Sequence, residues 1–388
     1  CERGADTHEV HTLIQQVLSE KNLAKESVAG VCSIDLKADE VAIGDVARAL
    51  DVPFHVFDAA RLERETPRLK NPSAIVFKEV GCHGVSEGAA LAGAGDDNTL
   101  IVAKTKSKRA TVAIARASNP IIDLPGRERG TLFVVGIGPG MADWRSPEVT
   151  QMVQQTSDLV GYSLYLDLLG DLTTGKTRHD FDLGREEDRV RHAMELAGQG
   201  RTVALVCSGD AGIYAMATLV YELIAKDGVS DAAKRIEIIN SPGISALQAA
   251  AARAGAPLGH DFCTISLSDL LTPWEDIQRR VRAAGSGDFV IAFYNPVSRK
   301  RRTQLAWARD ELLTHRPPDT PVVLATNLGR TGEQVRIVPL GDLQVDDVDM
   351  LTVVIVGSSD SRTVATGDGR TWIYTPRGYS GKQGTQMR

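Results

Sequence analysis

Several absences narrow this sequence before any motif does. No apolar run approaches the ~18 residues that cross a bilayer, and no signal peptide is read at its start. The expectation is a soluble, cytoplasmic protein with no membrane partner. Cysteine is scarce: Cys1, Cys32, Cys82, Cys207 and Cys263 are an odd number at wide spacing, with no C-x-x-C. That disfavours a disulfide framework or a zinc knuckle and leaves free thiols. The eight histidines form no pair at metal-ligand spacing, with His83, His179 and His260 standing alone, so no protein-held metal is expected. A phosphate loop, a dinucleotide fingerprint and a G-x-S-x-G nucleophile elbow are all missing. Ser208 therefore reads poorly as an acyl-enzyme nucleophile, and Cys207 reads as a strand residue. No repeat of about 20–50 residues is visible, which disfavours a solenoid. Positive charge is not in excess, the net charge being −6, and no nucleic-acid partner is expected.

What is present is globular. The chain has 388 residues, 43% of them apolar and 24% charged, enough for two or three domains. Residues 1–117 alternate helical and strand patterns. Thr7 to Glu20 carries one apolar helical face, with Thr7 as N-cap; apolar runs follow at Val28 to Ile34 and Ala74 to Val80, and helical patterns at Ile43 to Leu50 and Ser86 to Ala92. Leu100 to Ala103 and Ala110 to Ala115 read as strands around a turn. Ser118 to Gly130, rich in proline, glycine and charge, reads as a linker. Beyond it, strands are expected at Leu132 to Ile137, Val203 to Cys207, Ile236 to Asn240, Phe289 to Tyr294, Val322 to Thr326 and Leu351 to Val356. Helices fall between them: Pro147 to Ala193 in pieces, Ile213 to Ala225, Ser245 to Ala254 and Arg301 to Leu313. Most of these strands are continuous apolar runs, as in a mainly parallel sheet covered on both faces. The fold class is α/β.

Three glycine-containing turns close successive strands. Gly136, Gly138 and Gly140 in VVGIGPG allow positive φ and close approach of a ligand, although such a turn serves equally as a tight structural turn. CSGDAG places Asp210 where it could bind ribose hydroxyls or an ammonium group; capping a helix that begins near Ile213 is the default reading. NSPGIS places Ser245 as a cap or a ligand contact. Together the three outline one small-molecule cleft. The basic run Ser298 to Arg302 sits beside that cleft and suits carboxylates or phosphates, whereas Lys104 to Arg109 reads as a solvated turn.

In order along residues 130–388, GIGPG, VGYSLYLDL, SGDAGIYAMA, NSPGISALQAAAARAGAPLGHDF, SLSDLLTPW, FYNPVSRKR, ATNLGRTGE, VVIVGSSDSR and TPRGY resemble the precorrin-3B C17-methyltransferases of the tetrapyrrole methylase class. One departure is Ala211, where that family commonly has proline. The resemblance implies a two-subdomain methylase over about 131–240 and 241–388, a homodimer, S-adenosylmethionine as methyl donor, and a tetrapyrrole substrate. That substrate is precorrin-3B, methylated at C17 with ring contraction; cobalt-factor III, the anaerobic counterpart, is the alternative. The implied donor site is Gly136, Gly138, Pro139, Gly140, Ser208, Gly209, Asp210, Ile213, Ser245, Ala246, Asn295 and Asn327. Ser266, Ser268, Asp269, Arg299, Lys300, Arg301 and Arg302 are expected to help hold the acidic macrocycle, with no catalytic residue singled out. CERG, SIDLKADE, VGCHGVSEGAAL and VAKTKSKRATVAIAR resemble the C-terminal domain of the cobalamin-biosynthesis protein that opens a lactone. This small N-terminal α/β domain is read as a corrinoid-binding module or as a lactone-opening one using Glu40 or Lys104, with handover from neighbouring pathway enzymes. Relatives of this segment carry a strand and a G-x-G turn before CERG, so the chain is expected to be truncated ahead of Cys1.

Overall fold

The computed structural model describes residues 1–378; Tyr379, the last residue of the TPRGY match, lies outside the described residues. Two small sheets form at the N-terminal end. β1 (Val31–Ile34) pairs in parallel with β2 (Phe54–Phe57), and β3 (Asn98–Lys106) folds back antiparallel on β4 (Thr111–Ala117). The helix Thr7–Glu20 turns Val10, Leu13 and Val17 inward as its spacing predicts, but its N-cap is Asp6 and not Thr7. The Asp6 carboxylate accepts from the His8 backbone N–H at 2.8 Å. Ala74–Val80 is a helix, started by the Ser73 cap and stopped by Gly81 at φ +77°. A seven-residue apolar run does not by itself reveal its period, and here the local caps decide it.

The expected linker is tied down along its second half. Arg127 pairs with Val56 as a β-bridge, N–H to O distances being 2.8 and 3.1 Å. Its guanidinium donates to the Gly198 carbonyl and, at 3.2 Å, to Asp35. Arg129 donates to the carbonyls of Arg235 (2.8 Å) and Ile236 (2.9 Å).

Next come β5 (Thr131–Gly136), β6 (Asp158–Tyr162), β7 (Thr177–Phe181), β8 (Thr202–Cys207) and β9 (Glu237–Ser241). They lie side by side in the order β7-β6-β8-β5-β9, all parallel. β6 and β7 occupy a stretch that reads as helical in sequence. Because β8 and β9 flank β5, the chain leaves the sheet at three neighbouring C-terminal ends: Gly136, Cys207 and Ser241. Small molecules bind at this end of such sheets.

The remaining strands are β10 (Gly255–Ala256), β11 (Phe262–Ser266), β12 (Val290–Tyr294), β13 (Pro321–Thr326), β14 (Gln334–Pro339), β15 (Thr352–Val356), β16 (Arg362–Ala365) and β17 (Thr371–Tyr374). The order β11-β12-β15-β13-β14 makes a second large sheet, and β10, β17 and β16 a small one. Within the large sheet only β11 and β12 are parallel; every other pairing is antiparallel. The expected mainly parallel arrangement therefore holds for the first sheet and fails for the second. Continuous apolar runs report burial on both faces, and β12, β13 and β15 have it whichever way they run. Since β12 and β13 are both antiparallel to β15, their C-terminal ends share an edge with the start of β15. No helix among the described residues is long and apolar enough to cross a membrane.

A buried carboxylate begins β6. Asp158 accepts from Ser157 Oγ at 2.6 Å, His179 Nε2 at 2.9 Å and Arg201 Nε at 3.0 Å. His179 does not stand alone: its Nδ1 lies 2.9 Å from His192 Nε2. Burial and His179 push the His192 pKa below its ordinary 6.5, with Asp158 opposing them. The unfolded chain then binds the extra proton first, so stability present above pH 6.5 falls as pH drops through 6.5 toward the depressed folded value. Thermal unfolding between about pH 8 and pH 5 is expected to show a decline that His192→Gln flattens. Parallel declines in both proteins would sink this account.

Candidate functional site

The three strand-end turns stack directly on one another. A methyl group built on Gly243 would fall 2.1 Å from the Gly209 carbonyl oxygen and 2.6 Å from that of Gly136. One on Gly136 would fall 2.4 Å from the Gly209 oxygen, and one on Gly140 would fall 2.5 Å from the Gly329 oxygen. Of the three glycines in GIGPG only Gly138 has positive φ, +76°. Gly136 and Gly140 are needed because another backbone passes where a Cβ would sit. Gly138 and Gly209 also exchange N–H···O bonds of 3.2 and 2.9 Å.

Asp210 caps no helix, contrary to the default reading. The next helix is Ala217–Ala225, and the Asp210 carboxylate instead accepts from Gly212 N–H at 2.7 Å and Gly243 N–H at 3.0 Å. It ties the second turn to the third. Ser245 is a cap, closing a capping box with Gln248 on the helix Ala246–Ala254.

Pro139, Ser208, Gly209, Asp210, Ile213, Ser245, Ala246, Asn295 and Asn327 line one cavity of about 280 Å³. It opens between the C-terminal edge of the first sheet and the matching edge of the second. Gly136, Gly138 and Gly140 do not line it; they hold the loop that does. Three lining residues, Tyr214, Asn295 and Asn327, adopt left-handed backbone at φ 50°, 49° and 52°. A bulky tyrosine there is strained, and such strain gathers at ligand sites. Tyr214 is fixed by its hydroxyl, which donates to Thr264 O at 2.9 Å, and Asn295 donates to Ser266 Oγ at 3.1 Å. Burial raises the pKa of the Tyr294 phenol, whose oxygen accepts from Leu247 N–H at 3.0 Å. A larger hollow of about 500 Å³, with Arg253, Asp319, Val335 and Thr371 in its wall, lies at the outer edge of the second sheet, and none of the three stacked turns contributes to it.

Residues 131–344 match the family of tetrapyrrole (corrin/porphyrin) methylases. The chain belongs to that family. Residues 1–115 of this methylase match a second family, the cobalamin synthesis G C-terminus. The cobalamin biosynthesis protein CobIJ of Mycobacterium tuberculosis is 39% identical over 372 residues, 91% of this chain and 71% of the relative. The precorrin-3B C(17)-methyltransferase of a Sinorhizobium species is 43% identical, covering 65% of this chain and 98% of the relative. The probable cobalt-factor III C(17)-methyltransferase of Salmonella typhimurium is 45% identical over 64% of this chain and 99% of the relative. A crystal structure of the methyltransferase CobJ covers 64% of this chain at 41% identity and TM-score 0.59.

The residues expected at the macrocycle adjoin the cavity of this methylase but do not line it. Arg301 donates to Ser268 Oγ at 3.1 Å and to Asn295 O at 2.7 Å, and lies 4.0 Å from Asp269. Gln304 donates to Asp269 at 2.9 Å, and Arg302 pairs with Asp346. Arg301 is thus a brace for the loop after β12, while Arg299 and Lys300 are exposed. Sequence reasoning missed Tyr165, Arg189, Tyr214, Tyr294 and Arg330, all in the cavity wall. Arg330 lay within a quoted motif, ATNLGRTGE; Arg189 sits in EEDRVRH, a stretch indistinguishable from a solvated helix.

Proposed function

We propose that this methylase transfers the methyl group of S-adenosylmethionine to C17 of precorrin-3B, with ring contraction, in cobalamin biosynthesis. The observation that carries the reading is the convergence of nine motif-matched residues from both sheets on one cavity. The wall fits the donor: the Ser208 hydroxyl and the side-chain amides of Asn295 and Asn327 offer partners for a nucleoside, and Ile213, Leu328 and Val353 offer an apolar face. S-adenosylmethionine supplies an electrophilic methyl. Displacement at that carbon needs alignment with a carbon nucleophile more than a strong base, and the stacked turns supply fixed geometry. On this reading the exposed Arg299 and Lys300, with Ser266, Ser268 and Asp269 on the neighbouring loop and Arg301 bracing it, help hold the acidic macrocycle beside the cavity. The same reading divides the chain into 1–117, a linker 118–130, and a methylase of two subdomains over 131–388 that works as a homodimer.

Incubation with S-adenosylmethionine and precorrin-3B is expected to give a product heavier by one methyl, with turnover reduced in Arg299→Ala. No methyl gain with precorrin-3B or with cobalt-factor III would refute the reading. Gain with cobalt-factor III alone would assign the anaerobic substrate, which the Salmonella relative supports. For the N-terminal segment a corrinoid-binding role, with handover to the methylase, is favoured over lactone opening. Glu40 is buried and engaged inside its own fold, 3.1 and 3.2 Å from Gly4 N and 3.8 Å from Lys37.

A further inference from the structure

Arg189 is an anomaly for a buried charge. It is only 2% exposed, yet its guanidinium meets the Met216 sulfur at 3.3 Å and the Asp182 carbonyl at 2.9 Å, and its Nε has no partner. A thioether is a weak acceptor, and a buried guanidinium ordinarily faces a carboxylate. Arg330, from the other side of the cavity, donates to Pro139 O at 2.7 Å and to Ser208 Oγ at 3.0 Å. Among the described residues no carboxylate oxygen lies within 4.0 Å of either guanidinium, although Glu186 and Asp210 share the same wall. Burial holds Arg330 below its ordinary pKa. Tyr165 stands between them electrostatically: burial raises its phenol, and Arg330 and Arg189 both pull it back.

Resting on the methylase reading, we infer that Arg189 and Arg330 form a carboxylate-binding corner of this cavity. The buried Arg189, one of whose nitrogens has no partner, and the half-buried Arg330 line one cavity without a carboxylate, and an anion entering it supplies the missing countercharge. Arg330 also joins the two sheets' edges through Pro139 and Ser208, so the anion would be bound where the walls meet. In this cavity two ligands carry carboxylates: the methionine moiety of the donor and the side chains of a tetrapyrrole.

The test is titration of S-adenosylhomocysteine and of its decarboxylated analogue, alongside the KM for the tetrapyrrole, in wild type, Arg189→Met and Arg330→Met. Charge-assisted bonds of this kind imply a roughly ten- to hundredfold loss. If the donor's carboxylate is the ligand, S-adenosylhomocysteine weakens by that factor in the variants and the decarboxylated analogue does not. If a tetrapyrrole carboxylate is the ligand, S-adenosylhomocysteine affinity holds while KM rises, with partial recovery in Arg189→Lys and Arg330→Lys. Folded variants unchanged in both overturn the inference. Should the variants not fold, wild type decides: equal affinity for each acid ligand and its uncharged counterpart, decarboxylated donor and amidated tetrapyrrole, overturns it as well. Discrimination for a carboxylate without any methyl transfer would instead remove the methylase reading and leave the corner standing.

Discussion

Gly243→Ala is expected to abolish S-adenosylhomocysteine binding and to lower the unfolding free energy by about 3 kcal/mol. The added methyl has no escape, because the atoms it meets are main-chain oxygens of Gly209 and Gly136 at 2.1 and 2.6 Å and not the end of a flexible side chain. To relieve the overlap the third turn must lift. That lift breaks the 3.0 Å bond from Gly243 N–H to Asp210 and frees the third turn from the second. Gly367→Ala is the control, since nothing lies within 4 Å of its Cβ position. Calorimetric titration and thermal unfolding of both variants check the point. A Gly243→Ala protein that binds as tightly as wild type would show that the stacked turns do not build the donor site.

Glu87→Ala is expected to unfold the N-terminal segment while the methylase sheets persist. Glu87 is 2% exposed and gathers four donors: Lys70 N–H at 2.7 Å, Asn71 N–H at 3.0 Å, Asn71 Nδ2 at 2.7 Å and Lys104 N–H at 2.8 Å. Alanine removes all four of these bonds to the buried carboxylate; the donors lie on exposed or half-buried residues that water can partly answer, so at about 0.5–1.5 kcal/mol for each bond a loss of about 3 kcal/mol is expected. Burial raises the Glu87 pKa, but the Asn71 side chain and the three backbone donors outweigh it and hold the carboxyl below its ordinary 4.5. Stability from this group is therefore present above pH 4.5 and is lost as pH falls through the depressed value. Hydrogen exchange resolved by segment checks the result. Unchanged protection at β3 and β4 in Glu87→Ala would contradict it.

Glu87 also shows where sequence reading stopped. SEGAAL reads correctly as a helix, but no local pattern says that a helical glutamate will be answered by backbone from positions 70, 71 and 104. Five of the six expected strands were legible because burial on both faces leaves an unbroken signal, as in TVALVC and TVVIV, whereas β9 is half-exposed. Strand direction was not legible, nor were β7 and β14, whose exposed edge residues, as in TRHDF, blur the pattern. In the cavity wall the glycine turns announced themselves through composition. Arg189 gave no signal, because its meaning lies in what it fails to meet.

The strap at Arg127 has a mechanical consequence. Ile122, just before it, is 94% exposed, so a readily accessible stretch of chain lies outside the strap. A nick there leaves Arg127 on the methylase fragment, still bridged to Val56 and to Asp35 of the other, with Arg235 3.8 Å from Asp39 beside it. Registry between the fragments is thus written in non-covalent contacts and outlives the peptide bond. The fusion acts as a splint that fixes an angle, and severing it should behave less like cutting a tether than like cutting one bolt of a hinge plate.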